Sequence, residues 1–216
     1  MATREPLSSE RIIAAAAGVA DRGGLTAVSM RSVGRALSVE AMSLYHHVDG
    51  KESLLDGLAD WVFAQIVLPR ESDPWREGME LRARSAREVL AAHPWALGLI
   101  ESRSAPGPAL LRHHDAVIGC LHRGGFPLLL ASQAFSVIDA YVSGFVLTEQ
   151  SLPFDAAGVE NAGDFARRVA PALAGYPHLA ALVGALTSDR EYVYADEFEV
   201  GLGMILDQLA HRLASS

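Results

Sequence analysis

The sequence predicts an all-α protein on three observations. Ala and Leu dominate long runs whose apolar residues recur at helical spacing. Few stretches show the strict alternation of a half-buried strand. Half of the 216 residues are hydrophobic, enough for a real core, and the length suits one large or two small domains.

The elements follow in order. Leu7 to Gly24 (LSSERIIAAAAGVADRGG) predicts a capped amphipathic helix. Ser8 stands at its N-cap and Glu10 in its first turn, Ile12, Ile13, Ala16 and Val19 form the inner face, and Gly-Gly ends it. Residues 29 to 51 (SMRSVGRALSVEAMSLYHHVDGK) predict two short helices joined by a tight turn. Ser29 caps the first, whose inner face is Val33 and Leu37, and Val39 follows in the turn. Leu44 and Val48 form the inner face of the second. Its outer face carries Ala41, Ser43, Tyr45, His46 and His47, a small, hydrogen-bonding surface suited to the DNA major groove. A bland alternative for His46 and His47 is a solvated helix face. After Asp49-Gly50, Lys51 opens a third run in which Leu54, Leu55, Leu58, Trp61 and Val62 keep helical spacing.

Pro69 and Pro74 punctuate the end of this run, so residues 66 to 74 predict a junction. Trp75 to His93 predicts a helix broken by Pro94, and Trp95 to Ile100 a short one. Leu110 to His122 is helical up to Gly124-Gly125, and Pro127 starts a long apolar helix to about Gln150. Residues 151 to 163 predict a loop. Asp164 to Ala174 and Pro177 to Leu186 predict short helices, and Asp189 the cap of a last helix ending near Leu213. In that helix Tyr194, Phe198, Leu202, Ile205 and Leu209 make one stripe, and Gly201 and Gly203 predict a close helix contact.

The net charge of −8 looks wrong for a nucleic-acid binder until it is divided. Residues 1 to 51 hold six Lys+Arg against five Asp+Glu, a net +1, and residues 52 to 216 hold twelve against twenty-one, a net −9. A weakly basic reading head needs a second copy to bind tightly, which favours a dimer. The single cysteine, Cys120, forbids an internal disulfide, fits a reducing cytoplasm and reads as a buried small hydrophobe. The N-terminus is polar and predicts no signal peptide. Asp139 and several serines interrupt the apolar stretch from 124 to 148, which reads as a core helix rather than a membrane span.

No nucleophile elbow, phosphate loop or Cys/His cluster is visible, so an enzyme is the weakest class. His113, His114 and Asp115 are adjacent on a helix and point about 100° apart, so no metal site is expected there, nor any cofactor. Another kind of site is expected in the body. Trp95, Leu99, Phe135, Ile138, Tyr141, Val142 and Phe145 offer apolar and aromatic lining, and Arg103, His114, Ser136 and Asp139 sparse polar anchors, as in cavities that hold small effectors. The alternative is ordinary bundle core. Asp139, a carboxylate in an apolar helix, must find a partner.

A capped helix, then SMRSVGRALSVEAMSLYHHV, then a connecting helix that Lys51 opens, resembles the N-terminal domain of the TetR family of bacterial transcription repressors. The LYHHV segment and the lysine after it look especially close to the tetracycline-repressor branch. The family usually has glycine where this chain has Ser38, and a Ser or Thr cap where it has Glu40. Glu40 can select a base or face away. The resemblance implies a reading head over 5–66 and an effector-binding and dimerisation part over 67–216. It implies a homodimer whose last helix, with the long helix before it, builds a four-helix bundle; Phe198, Leu202, Ile205 and Leu209 are the expected contacts. The tetracycline repressor binds its drug with magnesium and a histidine, but no motif match selects a histidine here. Ser29, Tyr45, His47 and Lys51 are expected on phosphates; Arg31, Ala41, Met42, Ser43 and His46 on base edges. The expected function is a cytoplasmic repressor released from a palindromic DNA operator by a largely apolar or aromatic effector. The alternatives are a helix-turn-helix regulator without an effector or acting as an activator, and, more remotely, a helical enzyme or interaction module.

Overall fold

A computed structural model describes residues 6–103, 106–152, 162–187 and 192–215. The described residues form helices α1 (Ser9–Gly23), α2 (Met30–Leu37), α3 (Ala41–Leu44), α4 (Gly50–Phe63), α5 (Trp75–Ala92), α6 (Ala96–Glu101), α7 (Pro108–Arg123), α8 (Leu128–Ser151), α9 (Ala162–Val169), α10 (Pro177–Thr187) and α11 (Glu197–Ala214). Short 3-10 turns lie at Leu25–Ala27, Ala170–Gly175 and Tyr194–Asp196. Among the described residues there is no strand, so the chain is all-α.

The chain divides into two compact units, with the boundary after Ser136 inside α8. The first unit begins with a head of α1, α2 and α3 closed by α4. Ser8 caps α1 by accepting from the Arg11 amide, and α1 packs on α2 and α4. Ile12, Ala16, Val33, Leu44, Leu54, Leu58 and Val62 close its core, each at 0% exposure. Removing any one would cost a few kcal/mol of cavity and transfer energy. Ser29 caps α2 reciprocally: its oxygen accepts from the Ser32 amide, and the Ser32 hydroxyl accepts from the Ser29 amide. The turn after α2 is left-handed at Ser38, with φ 56° and ψ 44°. Beyond the head, α5 packs on α7 and α4 reaches both α6 and α7. Met79, Ala83, Leu99, Cys120, Leu121 and Phe126 are buried there, with Trp75 edge-on to Phe126 at 4.9 Å. Burial pushes the Cys120 thiol up, so it stays a protonated core residue.

In the second unit Tyr141 and Phe145 of α8 face Phe198 of α11, at 5.5 and 5.1 Å between ring centroids, and Tyr194 stacks on Phe145 at 4.8 Å. Among the described residues α8 alone is long and apolar enough to cross a membrane. Ile138, Val142, Phe145 and Val146 are nevertheless buried within the protein.

Three expectations change. The last helix begins at Glu197, after a 3-10 turn at Tyr194–Asp196; its expected cap, Asp189, lies outside the described residues. The expected loop at 151–163 is described only at its ends, where Ser151 closes α8 and Ala162 opens α9. The stripe assigned to a dimer contact faces inward. Phe198, Leu202 and Leu209 are buried in the subunit's own core and Ile205 is half-buried, while Val200 and Met204 are exposed. The register is set by Gly201: a Cβ there would stand 2.3 Å from the Tyr141 hydroxyl, which donates to the Glu197 and Phe198 carbonyls. Gly201 therefore marks an intrachain contact, whereas nothing lies within 4 Å of a Cβ built on Gly203.

A left-handed serine costs roughly 1 kcal/mol relative to glycine. Ser38→Gly is expected to raise the urea midpoint at unchanged m-value, by up to about 1 kcal/mol of stability. A lowered midpoint would show that the serine side chain stabilises the turn by more than the strain costs.

Candidate functional site

The head leaves one face of α3 exposed. Gly34 lets α2 and α3 cross closely, since a Cβ would stand 3.0 Å from the Val39 carbonyl and 3.3 Å from the Ala41 backbone. The Val39 amide in turn donates to the Gly34 carbonyl at 2.9 Å. With Leu44 and Val48 buried beneath it, α3 has its opposite face free. Met42, at 72% exposure, leads that face; Tyr45, His46 and His47 are exposed, and Ala41 and Ser43 half-buried. Arg31 on α2 and Lys51 at the start of α4 are exposed beside it. Glu40 is exposed and makes no side-chain cap, so its carboxylate is turned outward. Ser29 is half-buried in its capping box, which already engages the hydroxyl expected on a phosphate. The α3 helix has a single regular turn and continues as turn backbone through His47, whose carbonyl accepts from Ser9 of α1 at 2.9 Å.

The connecting helix α4 is fastened at its far end by carboxylates. Asp60 Oδ1 accepts from the Ala109 amide at 2.7 Å and the Leu110 amide at 3.1 Å. These are first-turn amides of α7, whose own N-cap, Gly107, has no side chain to offer. A Cβ at Gly107 would stand 2.3 Å from Asp60, so glycine is needed for the carboxylate to reach them. Arg103, after α6, donates to Glu52 at 2.8 Å and Asp56 at 3.3 Å. These bonds hold its guanidinium above the ordinary arginine range, against a smaller opposing effect of burial. A cleft of about 160 Å³ lies between Asp56, Asp60, Phe63, Ile100, Arg103 and Leu110.

Deeper in the first unit lies a polar pair that the sequence reading missed. Arg82 is 3% exposed and His113 fully buried, and Arg82 Nε donates to His113 Nε2 at 2.9 Å. An acceptor Nε2 puts the neutral imidazole's proton on Nδ1. Among the described residues that buried Nδ1 meets no hydrogen-bond partner. Burial, with lesser help from the Arg82 and His114 charges, lowers the His113 pKa to about 3, so it is neutral at physiological pH. Aromatic rings enclose the pair. Phe63 stands 5.3 Å from His113, Phe135 lies edge-on to His114 at 4.8 Å, and Arg82 sits 5.6 Å from the Phe135 ring centre. One signal was available: Arg82 falls on the apolar stripe Met79, Ala83, Ala86, Leu90, and His113 on Ala109, Val117, Leu121.

The expected pocket residues are placed less simply. Of them, His114 and Phe135 join this cluster. Trp95 is buried and its indole donates to Asp21 at 2.7 Å, Leu99 is buried core, and Arg103 holds α4. Ser136 is exposed and bonded to the Ser132 carbonyl. In the second unit Ile138, Val142 and Phe145 are buried core, Tyr141 is bonded to α11, and Asp139 is half-buried. Trp95, Arg103 and Tyr141 thus spend their polar groups on holding helices. Among the described residues no three His, Cys, Asp or Glu side chains converge on one point.

Two family models match the chain. That of bacterial regulatory proteins, tetR family, covers residues 12–58, and that of the tetracyclin repressor-like C-terminal domain covers 68–213. The chain belongs to the TetR family. It is a DNA-binding transcriptional regulator rather than an enzyme. It is 35% identical to an HTH-type transcriptional regulator of Saccharopolyspora erythraea over 82% of this chain and 75% of the relative. It is 31% identical to the class A tetracycline repressor of Escherichia coli over 95% and 92%. Apo ActR of Streptomyces coelicolor superposes with a TM-score of 0.77 at 28% identity, over 98% of each chain. ActR bound to actinorhodin superposes at 0.75, over 97% of this chain and 99% of that one.

Two outcomes are expected. Lys51→Ala should weaken binding to all DNA and lower the salt slope by about one per lost phosphate contact, whereas Arg31→Ala should relax preference at one base position at a cost of about 1–3 kcal/mol. Equal losses across all sequences for both variants would remove Arg31 from base reading. The second concerns acid. Because the His113 pKa is lowered from 6.5 to about 3 by folding, its contribution is complete above pH 6.5 and is lost as pH falls toward 3. The slope is at most about 1.4 kcal/mol per pH unit. His113→Gln, which keeps an acceptor for Arg82, should lose less stability than the native chain between pH 7 and pH 5 in urea titrations. Parallel profiles would place His113 in a solvated site.

Proposed function

We propose that the chain is a homodimeric repressor that binds a palindromic operator and is released from it by a small aromatic effector. The observation that carries this reading is the surface of α3: a glycine-tightened, fully cored helix-turn-helix whose outer face is left exposed and polar. Residues 5–66 form the reading head, and 67–216 the effector-binding and dimerisation part. Arg31, Ala41, Met42, Ser43 and His46 face base edges. Tyr45, His47 and Lys51 hold phosphates, and Ser29 does so only through what its capping duty leaves over. A regulator of this kind works in the cytoplasm.

The effector site is proposed at the Arg82–His113 pair and its aromatic wall of Phe63, His114 and Phe135. A guanidinium edge and a directed Nδ1–H are both donors, so the ligand should bring acceptors, such as carbonyl or phenolate oxygens on a flat ring system. The ActR complex with actinorhodin supports a small-molecule effector in a related fold. Phe63 belongs to α4, so a ligand against it presses on the helix that carries the head. Dimerisation is proposed on the faces of α8 and α11 that the subunit leaves open. These carry Val137, Gly144 and Leu147 on α8, and Val200, Gly203 and Met204 on α11. Gly144 and Gly203 have nothing within 4 Å of a built Cβ, which leaves room for a second backbone to approach.

A thermal-shift screen of planar aromatic carbonyl compounds should yield stabilising hits that weaken operator binding by about 1–3 kcal/mol, with DNA weakening the hits by the same factor. His113→Phe should abolish the shift. Hits that stabilise the protein without changing DNA affinity would contradict induction. Met204→Glu should yield a folded species that sediments as a monomer or weak dimer, while Leu202→Glu should unfold the subunit. A Met204→Glu protein that remains a tight dimer would move the interface elsewhere.

A further inference from the structure

A carboxylate of α1 meets the corner between α5 and α6. Asp21 Oδ1 accepts from the Trp95 indole at 2.7 Å and lies 2.8 Å from His93 Nδ1, across 74 and 72 residues of sequence. His93 ends α5, Trp95 precedes α6, and Pro94 stiffens the corner between them. Trp61 of α4 lies edge-on to His93 at 5.0 Å, and His93 lies 5.6 Å from Trp95. Trp95 is 8% exposed, which shields the indole end of the bond, whereas the Asp21 carboxylate lies at the surface. Three parts therefore meet at one imidazole: the first helix of the head, the connecting helix, and the start of α6.

This joint is not needed to fold the head, whose core closes through α1, α2 and α4. Its geometry has a different consequence. A head joined to the body through α4 alone could swing or twist about that helix. A bond from α1 to the body is a second point of attachment, and two points fix the rotation. We propose that Asp21 is a positioning residue for operator binding, which sets the direction of the reading head through Trp95 and His93 and hence the separation of the two heads. The inference rests on the dimeric DNA-binding reading above.

Positioning and base reading separate in one measurement. The full-length protein first selects its operator from random DNA, and the spacer between half-sites is then lengthened and shortened by single base pairs. The native chain should bind its selected spacing best and lose affinity at the others. Asp21→Ala and Trp95→Phe should each flatten this spacing profile severalfold, while the base preference inside a half-site stays unchanged. The double variant should be no flatter than the more affected single variant, because both remove one interaction. Asp21→Asn keeps an acceptor for the indole and should fall between native and Asp21→Ala. A purely structural role would lower affinity at every spacing alike and leave the ratio between spacings untouched. Folded Asp21→Ala and Trp95→Phe proteins with native spacing profiles would overturn the proposal, and so would variants too unfolded to bind, since that would make the joint part of the fold. If the native chain selects no paired half-sites, the dimeric reading fails instead, which is a distinguishable result.

Discussion

The fastening of the connecting helix α4 to α7 depends on the carboxylate of Asp60 reaching the start of α7. A helix N-terminus leaves amides that must be bonded, and a buried amide without a partner costs about 1–3 kcal/mol. Here the local chain supplies no acceptor: Gly107 is the N-cap and Pro108 the first helical residue. The acceptor comes from α4, 49 and 50 residues away, and the negative charge also suits the helix dipole. One side chain thereby ties the connecting helix to the body. Arg103 adds a second tie through Glu52 and Asp56, although those carboxylates are 77% and 48% exposed and the pairs contribute little in water.

That arrangement gives α4 the properties of a lever. Its first turn carries Lys51 beside the recognition surface, and its last turn carries Phe63 against His113. A head whose orientation is set from the body can be switched from the body. The effector needs only to prefer one placement of α4, since a ligand shifts an equilibrium by its difference in affinity for the two states. The buried Arg82–His113 pair suits such a site. It holds donors in a low-polarity wall, where a hydrogen bond from a ligand counts for more than at the surface.

The head was legible in the sequence and the joints were not. Ser8, Ser29 and the spacing of Val33, Leu44 and Val48 are local signals, and local physics decides capping and helix faces. The exposed face of α3 followed from the same short stretch, and the left-handed Ser38 stands where the family usually has glycine. The last helix shows the limit. Its apolar stripe was read from periodicity, and periodicity does not say what covers it. The Tyr141 hydroxyl and Gly201 turned Phe198, Leu202 and Leu209 inward and left Val200 and Met204 outside. Trp95 was read as aromatic lining and Arg103 as a polar anchor of a ligand cavity, because aromatic and polar groups among apolar neighbours suggest a site. Their partners, Asp21, Glu52 and Asp56, lie in another part of the chain, where no spacing rule connects them. Arg82 carried a readable signal, a guanidinium on an apolar stripe.

The proposed control of the head from the body needs α4 to be held to α7, and Asp60 makes that attachment. Amide hydrogen exchange in Asp60→Ala, set beside its operator affinity, tests this most directly. Expected are faster exchange at Ala109 and Leu110, unchanged protection within α1 and α2, and weaker operator binding with unaltered base preference. Native operator affinity in a variant whose Ala109 and Leu110 amides have lost protection would contradict it.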